Sequence, residues 1–382
     1  MARSHPGKSG AAQTLKGFEG LARRAAGYQH ELHRIKRAHG IKPQDWYPYD
    51  TLGELYLLRE LPGARDFDID SLLAGQPALD LCCGDGDLAF FLASEGYEVD
   101  AVDWPPTNYN HMAGAHRMRE ATGLAVGLYQ ANLDADFELP RPFYRVVFFM
   151  GALYHLKNPI TALERIAGHC DYCVLTTRIT RFDPSRTVEL ASLPVAYLVG
   201  STETNEDETN YWIFTPAGLE RLLRRSGWEV VSLMTRGAAL SDPSTAAGDE
   251  RAFCLLRSKR VCLEHIEGVH APDEGDWRWT ERRFKLRIWH RPQYAASIRL
   301  PFYAPEALLA SGAVTLKAST GGRQLAPMVF QGPGCQDYEI ASSELSREAV
   351  EIDFEASHAL AADESDRRER ALVLGKFDPG AC

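Results

Sequence analysis

From Trp46 onward, short runs of β-branched and aromatic residues alternate with stretches whose apolar positions recur every three to four residues. This is the pattern of a parallel sheet covered by helices on both faces. Strands are expected at PALDLCC, YEVDAVD, AVGLYQAN, YRVVFFMG and CDYCVLTTR, and later at WEVVSLM and RAFCLLR. A helix, DLAFFLASEG, follows the first strand, and another spans Thr215 to Ser226, with Thr215 as N-cap and Pro216 as first helical residue. Upstream, Leu15, Phe18, Leu21, Leu32 and Ile35 recur at near-helical intervals until Gly40 and Pro43 stop the helix. Downstream of about Lys259 the period shortens to two, as in RFKLRIW, SIRLPFY, VTLKAS, AVEIDFEAS and RALVLGKF. In the first of these Phe284, Leu286 and Ile288 face one way and Arg283, Lys285 and Arg287 the other. Turn signals at Thr320-Gly321-Gly322 and Gly332-Pro333-Gly334 separate the runs, which predicts an antiparallel β-sandwich. Three parts are expected: a helical extension over 1–45, an α/β domain over 46–260 and a sandwich over 261–382.

Composition sharpens this only in places. With 45% hydrophobic and 25% charged residues the chain reads as soluble and globular, and no apolar run approaches the eighteen or so residues of a membrane helix. The N-terminus lacks the apolar stretch of a secretory signal, so the cytoplasm is the expected compartment. The net charge of −10 is uneven. Residues 1 to 42 hold Arg3, Lys8, Lys16, Arg23, Arg24, Arg34, Lys36, Arg37 and Lys42 against only Glu19 and Glu31. A basic arm on an acidic body is compatible with RNA contact, and also with an ordinary solvated helix. Eight scattered cysteines form no disulfide framework. Cys170 and Cys173 make a single CxxC running into an apolar strand, which favours packing over a zinc site, and no metal is expected.

The chemistry concentrates in ALDLCCGDGDLAFFL. Gly84 and Gly86 lie in a turn between an apolar strand and a helix, where small residues let backbone N–H groups approach a nucleotide cofactor. Asp103 closes the next strand, placed to accept hydrogen bonds from both hydroxyls of a ribose. Because Gly84-x-Gly86-x-x-Ala89 also satisfies the dinucleotide fingerprint, the loop alone leaves an NAD oxidoreductase open.

The fourth strand adds what the loop lacks. Asp80-Leu-Cys82-Cys-Gly84-Asp-Gly86 resembles the first motif of class I methyltransferases, and FFMGALYHLKNP resembles the fourth. With FELP before it and NYWIFTPAGLERLLRRSGW after it, the chain over roughly residues 75–235 is similar to the tRNA wobble-uridine methoxy/carboxymethoxy transferase-like family. The resemblance implies a Rossmann-like seven-stranded fold and S-adenosylmethionine, or its carboxylated form, as cofactor. It implies that Asp80 stands near the methionine amino group, that Gly84 and Gly86 line the cofactor, that Asp103 holds the ribose and Asn132 the adenine. Met150 and Tyr154 would line the sulfonium and substrate side. Three positions depart from the pattern: Cys82 occupies the usual first glycine of the cofactor turn, Arg145 replaces an acid, and only Lys42 and Arg251 stand in for the basic residues that hold a carboxylated cofactor.

Methyl transfer from a sulfonium is an in-line displacement needing alignment and exclusion of water rather than a covalent nucleophile. For a hydroxyl acceptor His155 is the candidate base, with Tyr154 beside it. The polar stretch STETNEDETNYW, 201–212, is expected to form a lid whose acids repel phosphates. In the C-terminal part Trp277 and Trp279 flank a basic face that resembles accessory modules of glycan-assembly enzymes, with core packing of at least one Trp expected. The leading expectation is a methyltransferase acting on a small-molecule or glycan-linked acceptor. Against it stand a tRNA wobble-uridine enzyme and a catalytically silent cofactor-binding assembly protein.

Overall fold

A computed structural model describes residues 17–40, 45–63, 67–204, 207–244, 249–272, 277–289, 293–345, 349–364 and 366–375. Arg3, Lys8, Lys16, Lys42 and two residues of the expected lid, Asn205 and Glu206, lie outside the described residues. Helices α1 (Gly17–His39), α2 (Thr51–Leu58) and α3 (Ile69–Leu73) precede the first strand. There follow β1 (Ala78–Leu81), α4 (Asp87–Ser94), β2 (Val99–Asp103), α5 (Ala113–Thr122), β3 (Val126–Gln130), β4 (Tyr144–Met150), α6 (Pro159–Ala167) and β5 (Cys170–Ile179). The chain then makes a hairpin, β6 (Ala196–Leu198) and β7 (Trp212–Phe214), before α7 (Pro216–Arg225), β8 (Trp228–Gly237) and β9 (Glu250–Ser258). The strands read from sequence are all present, with β6 and β7 added beside β5. These two are too short to leave a periodic signal.

Strands run parallel in the order β3-β2-β1-β4-β5, with β9 antiparallel on β5 and β8 on β9. Strand order reverses between β1 and β4, the switch point where open α/β sheets bind ligands outside their carboxyl ends. Each central strand feeds two cores: Val146, Phe148 and Met150 face one, Val147 and Phe149 the other. Burial on both faces explains why β4 reads as an unbroken apolar run.

Helix α1 is no solvated arm. Phe18, Leu21, Ala25, Leu32 and Ile35 join the same core as Phe90 and Phe91 of α4. Arg24 pairs with Asp70 of α3 and with Glu95 at the end of α4, each at 2.5 Å. Its basic residues are thus partly spent on the body. Arg145, the departure before β4, pairs with the buried Asp171. Cys170 and Cys173 are buried packing residues, as expected. Among the described residues no cluster of His, Cys, Asp and Glu could hold a metal, and no helix is long and apolar enough to cross a membrane.

The rest of the chain forms a second, antiparallel sheet: β10 (Cys262–Val269), β11 (Arg278–Trp289), β12 (Ser297–Ala304), α8 (Glu306–Leu309), β13 (Val314–Thr320), β14 (Arg323–Gln324), β15 (Met328–Phe330), β16 (Gly334–Ala341), β17 (Ala349–Ala356) and β18 (Val373–Leu374). Strand β11 pairs with β17 along its second half and with β18 at its start, and β18 passes on to β12 and β16. The sheet therefore curls over one core, with Phe284, Leu286 and Ile288 inside beside Phe302, Ile352 and Phe354. On its outer face Lys285 meets Asp353 at 3.3 Å, and Arg287 meets Glu351 at 2.6 Å. Trp277 and Trp279 do not reach this core: the first is 42% exposed, and the second lies half-buried under Arg370.

The two sheets meet at the amino ends of the parallel strands. Phe143, just before β4, stacks on Trp289 at 3.9 Å and 5°. Tyr294 donates to Glu229 at the start of β8 (2.5 Å), and Arg260 lies 3.6 Å from Glu164. A double-mutant cycle of Phe143→Ala and Trp289→Ala, read by urea unfolding, is expected to give a coupling of about 1 kcal/mol. A coupling near zero would remove this stack as a tie between the sheets.

Candidate active site

The turn after β1 is shaped by backbone conformation first. Cys82, Gly84 and Gly86 all have positive φ, at 60°, 61° and 77°. For a side chain this left-handed region is strained, so Cys82 is held there by its surroundings while the glycines adopt it freely. A Cβ on Gly84 would stand 3.2 Å from the ring of Tyr47, and one on Gly86 3.0 Å from Phe90. The space that glycine provides at residue 84 is therefore lined by an aromatic ring from the segment after α1.

Four carboxylates of this edge are buried: Asp80, Asp85, Asp87 and Asp103. Asp80 accepts from the backbone N–H of Ala89 (3.1 Å), and burial, with the charges of Asp103 and Asp87, pushes it up to about 7. Asp103 accepts from the N–H of Gly84 (2.8 Å), from Asn108 Nδ2 (2.8 Å) and from the N–H of Trp104 (2.7 Å). A carboxylate has about four lone-pair directions. A ribose donating both hydroxyls to Asp103 would therefore displace one of these donors. Burial raises Asp103 as well. Asp85 takes Lys36 Nζ (3.0 Å), the N–H of Tyr47 (2.7 Å) and Asn110 Nδ2 (2.7 Å), and Asp87 takes the same Lys36 Nζ at 2.8 Å.

Asn132, after β3, accepts from the N–H of Asp134 (3.1 Å) and so shapes its own turn. Met150 closes β4, buried at the same carboxyl edge. Beyond it the chain enters a single helical turn carrying Tyr154 and His155, whose rings lie 4.1 Å apart. His155 Nδ1 faces the carbonyl of Thr209 (3.2 Å) and its hydroxyl (2.9 Å), and that hydroxyl donates to Asp207 (2.6 Å). A carbonyl only accepts, so Nδ1 carries the proton and Nε2 the lone pair, an assignment made from the hydrogen-bond network. Burial lowers the pKa of His155, which keeps the ring neutral. The described part of 201–212 is tied down here: Tyr211 N–H donates to the carbonyl of Tyr154 (2.9 Å), and Asn210 is buried.

Over Tyr154 stands Arg251 of β9, its guanidinium 6.0 Å from the ring centroid. Two carboxylates flank that guanidinium, Asp249 at 3.3 Å and Glu54 of α2 at 3.6 Å. Glu54 also accepts from Thr176 of β5 (2.8 Å), and its burial raises its pKa. The residues named from sequence thus gather along the carboxyl ends of β1 to β5. Lys36, Tyr47, Glu54, Asn108 and Thr209 join them from elements that carry no recognisable motif. The acids of the Gly84-Asp-Gly86-Asp run were a visible signal, since buried carboxylates need partners.

Residues 56–233 match the family described as methyltransferase domain. That decides between the two nucleotide sites that share the glycine turn. This stretch is a class I S-adenosylmethionine-dependent methyltransferase domain. Solved structures similar to the chain include the N-terminal domain of EvdMO1 with S-adenosylhomocysteine bound (19% identity, covering 60% of this chain and 97% of that one, TM-score 0.39). Others are an S-adenosylmethionine-dependent methyltransferase from Methanosarcina mazei (18%, 50% and 96%, 0.37) and the glycopeptide N-methyltransferase MtfA with S-adenosylmethionine (15%, 60% and 97%, 0.32). No curated protein matches the chain.

Relieving the strained turn of the methyltransferase domain tests its geometry. Cys82→Gly is expected to stabilise the protein by about 0.5–1 kcal/mol, and Cys82→Val to destabilise it by more than about 1 kcal/mol, in chemical unfolding. Equal stabilities would show that φ at residue 82 carries no strain.

Proposed function

We propose that this protein transfers the methyl group of S-adenosylmethionine to a hydroxyl of an uncharged small-molecule or glycan-linked acceptor. The observation that carries the reading is the balanced charge at the acceptor end. Arg251, the cation over Tyr154, faces Glu54 and Asp249, and Asp249 also pairs with the buried Arg178 at 3.3 Å, so two cations are matched by two carboxylates and neither is spare for an anionic acceptor or a carboxylated cofactor. Asp80, Cys82, Gly84, Gly86, Asp103, Asn132 and Met150 are assigned to the cofactor. Asp80 faces the methionine ammonium and Asp103 the ribose. Tyr154 and His155 are assigned to the acceptor, with Nε2 of His155 taking the hydroxyl proton as the sulfonium methyl moves to oxygen. The segment over 201–212 closes the acceptor side. Residues 261–382 act as an accessory domain. The cytoplasm is its proposed compartment.

One observation keeps the tRNA wobble-uridine reading as an alternative: burial favours the neutral form of Glu54, and a neutral Glu54 frees part of the Arg251 charge for a carboxylated cofactor. Calorimetry and native mass spectrometry with S-adenosylmethionine, its carboxylated analogue and NAD separate the readings. The plain cofactor is expected to bind best, and Asp103→Ala to abolish its binding. Preference for the carboxylated form, with steeply salt-dependent tRNA binding, would replace the leading reading by the tRNA one. His155→Gln is expected to leave cofactor affinity unchanged and lower turnover by roughly 10²–10⁴-fold; wild-type protein that binds cofactor but turns over no acceptor fraction would favour a silent binder.

Acidity gives a further check. Asp80 holds its proton up to about 7 and must release it to pair with the cofactor ammonium. Cofactor affinity is therefore expected to fall as the pH drops below about 7, approaching tenfold per pH unit, with a proton released on binding. A flat profile in calorimetry between about pH 5.5 and 8 would remove Asp80 as the ammonium's partner.

A further inference from the structure

The N-terminal helix reaches the cofactor turn through one side chain. Lys36, three residues from the end of α1, sends its ammonium between Asp85 and Asp87, at 3.0 and 2.8 Å. All three side chains are largely buried, with 14%, 1% and 8% exposure. The two acids flank Gly86, where the backbone turns from β1 into α4. Without a cation between them, two carboxylates two residues apart repel in a dry environment, and the turn that carries them opens. The contact is reinforced on both sides. Tyr47 donates its N–H to Asp85 and lays its ring against Gly84, and Asn110 binds Asp85 from the loop before α5. The Lys36 ammonium also lies 5.4 Å from the ring centroid of Trp46, whose Nε1–H bonds the Lys36 carbonyl at 2.9 Å.

We propose that Lys36 is a positioning residue for cofactor binding: clamped by Asp85 and Asp87, it fixes the turn at Gly84–Gly86 and seats Tyr47 over it. The helix with the basic bias thus belongs to the S-adenosylmethionine site, and its charge at residue 36 serves the protein's own acids rather than a nucleic acid. This rests on the assignment of that turn to the cofactor. Asp87 has one carboxylate oxygen on Lys36, while the other, Oδ1, is buried without a hydrogen-bond partner. Its ionised form therefore depends on that single ammonium. Burial, with the charges of Asp85 and Asp50, pushes it up to about 6 even with Lys36 present.

The test is calorimetric titration of the full chain with S-adenosylmethionine, comparing wild type, Lys36→Met, Lys36→Arg, Asp87→Asn and the double variant Lys36→Met/Asp87→Asn, each with its unliganded thermal unfolding. Lys36→Met is expected to weaken binding roughly tenfold or more, and Lys36→Arg to stay within about threefold of wild type because it restores the cation. The double variant is expected to recover much of the loss, since removing one acid removes the repulsion that Lys36 quenches. Wild-type affinity in Lys36→Met would overturn the proposal. So would Lys36→Arg as weak as Lys36→Met, or a double variant no better than Lys36→Met. If Lys36→Met does not fold, Lys36→Arg and the double variant carry the test: the proposal requires the first to bind like wild type and the second to fold and bind, and tenfold weaker binding by a folded Lys36→Arg would overturn it. Failure of the wild type itself to bind S-adenosylmethionine would instead remove the assignment of the turn on which the proposal stands.

Discussion

Burying Asp80, Asp85, Asp87 and Asp103 along one edge of a parallel sheet sets the terms for everything around that edge. An unpaired carboxylate in such a place costs several kcal/mol, so each has to be matched by a donor or surrender its charge. The chain does some of both. Asp85 and Asp103 collect three donors each, Asp87 takes one ammonium, and Asp80, with a single backbone N–H, holds its proton to about 7. The donors come from α1, from the segment after it and from the loop after β2, so one electrostatic requirement organises three separate pieces of chain. The same requirement gives the edge its use. A site rich in carboxylates and already dry is suited to a ligand with a sulfonium and an ammonium, and poorly suited to a phosphate.

How much of this could be read beforehand differs by level. Strands β1, β4 and the middle of β9 were legible because burial on both faces leaves apolar runs, and the outer sheet was legible because burial on one face leaves alternation. The glycine turn, Asp103 and the Tyr154-His155 pair were legible because they sit at fixed offsets from those strands. What was hidden is contact between distant residues. Lys36 and Asp85 are 49 positions apart, and His155 and Thr209 are 54 apart. Neither pairing leaves a local trace. The basic bias of the first forty residues was compatible with a nucleic-acid partner or a solvated helix, whereas Arg24 and Lys36 turn inward to acids of the same chain. The departure at Cys82 was visible as a residue type, and its physical content, a side chain at φ 60°, required the backbone.

The turn after β4 shows how a short stretch can do several jobs. The turn carrying Tyr154 and His155 is held from one side by β4 and from the other by the segment that ends in β7. Thr209 fixes the histidine's tautomer, and Asp207 fixes the hydrogen of Thr209. The ring nitrogen left over is a lone pair rather than a proton, whatever the acceptor proves to be. Arg251 and Glu54 do the complementary work for charge, leaving that turn close to neutral.

The stack of Phe143 on Trp289 fixes where the second sheet is bolted. Phe143 precedes β4, Glu229 opens β8 and β9 ends at Ser258, all at the amino edge, while the turn carrying Tyr154 and His155 lies past Met150 at the other. A strand of seven residues separates the two edges, about 23 Å at a rise of roughly 3.3 Å per residue. The contact between the two sheets and the turn carrying Tyr154 and His155 therefore lie at opposite edges. A molecule gripped by both parts at once has to be long enough to run down the flank of the sheet, so the separation acts as a ruler. A molecule shorter than that length reaches one edge or the other and not both.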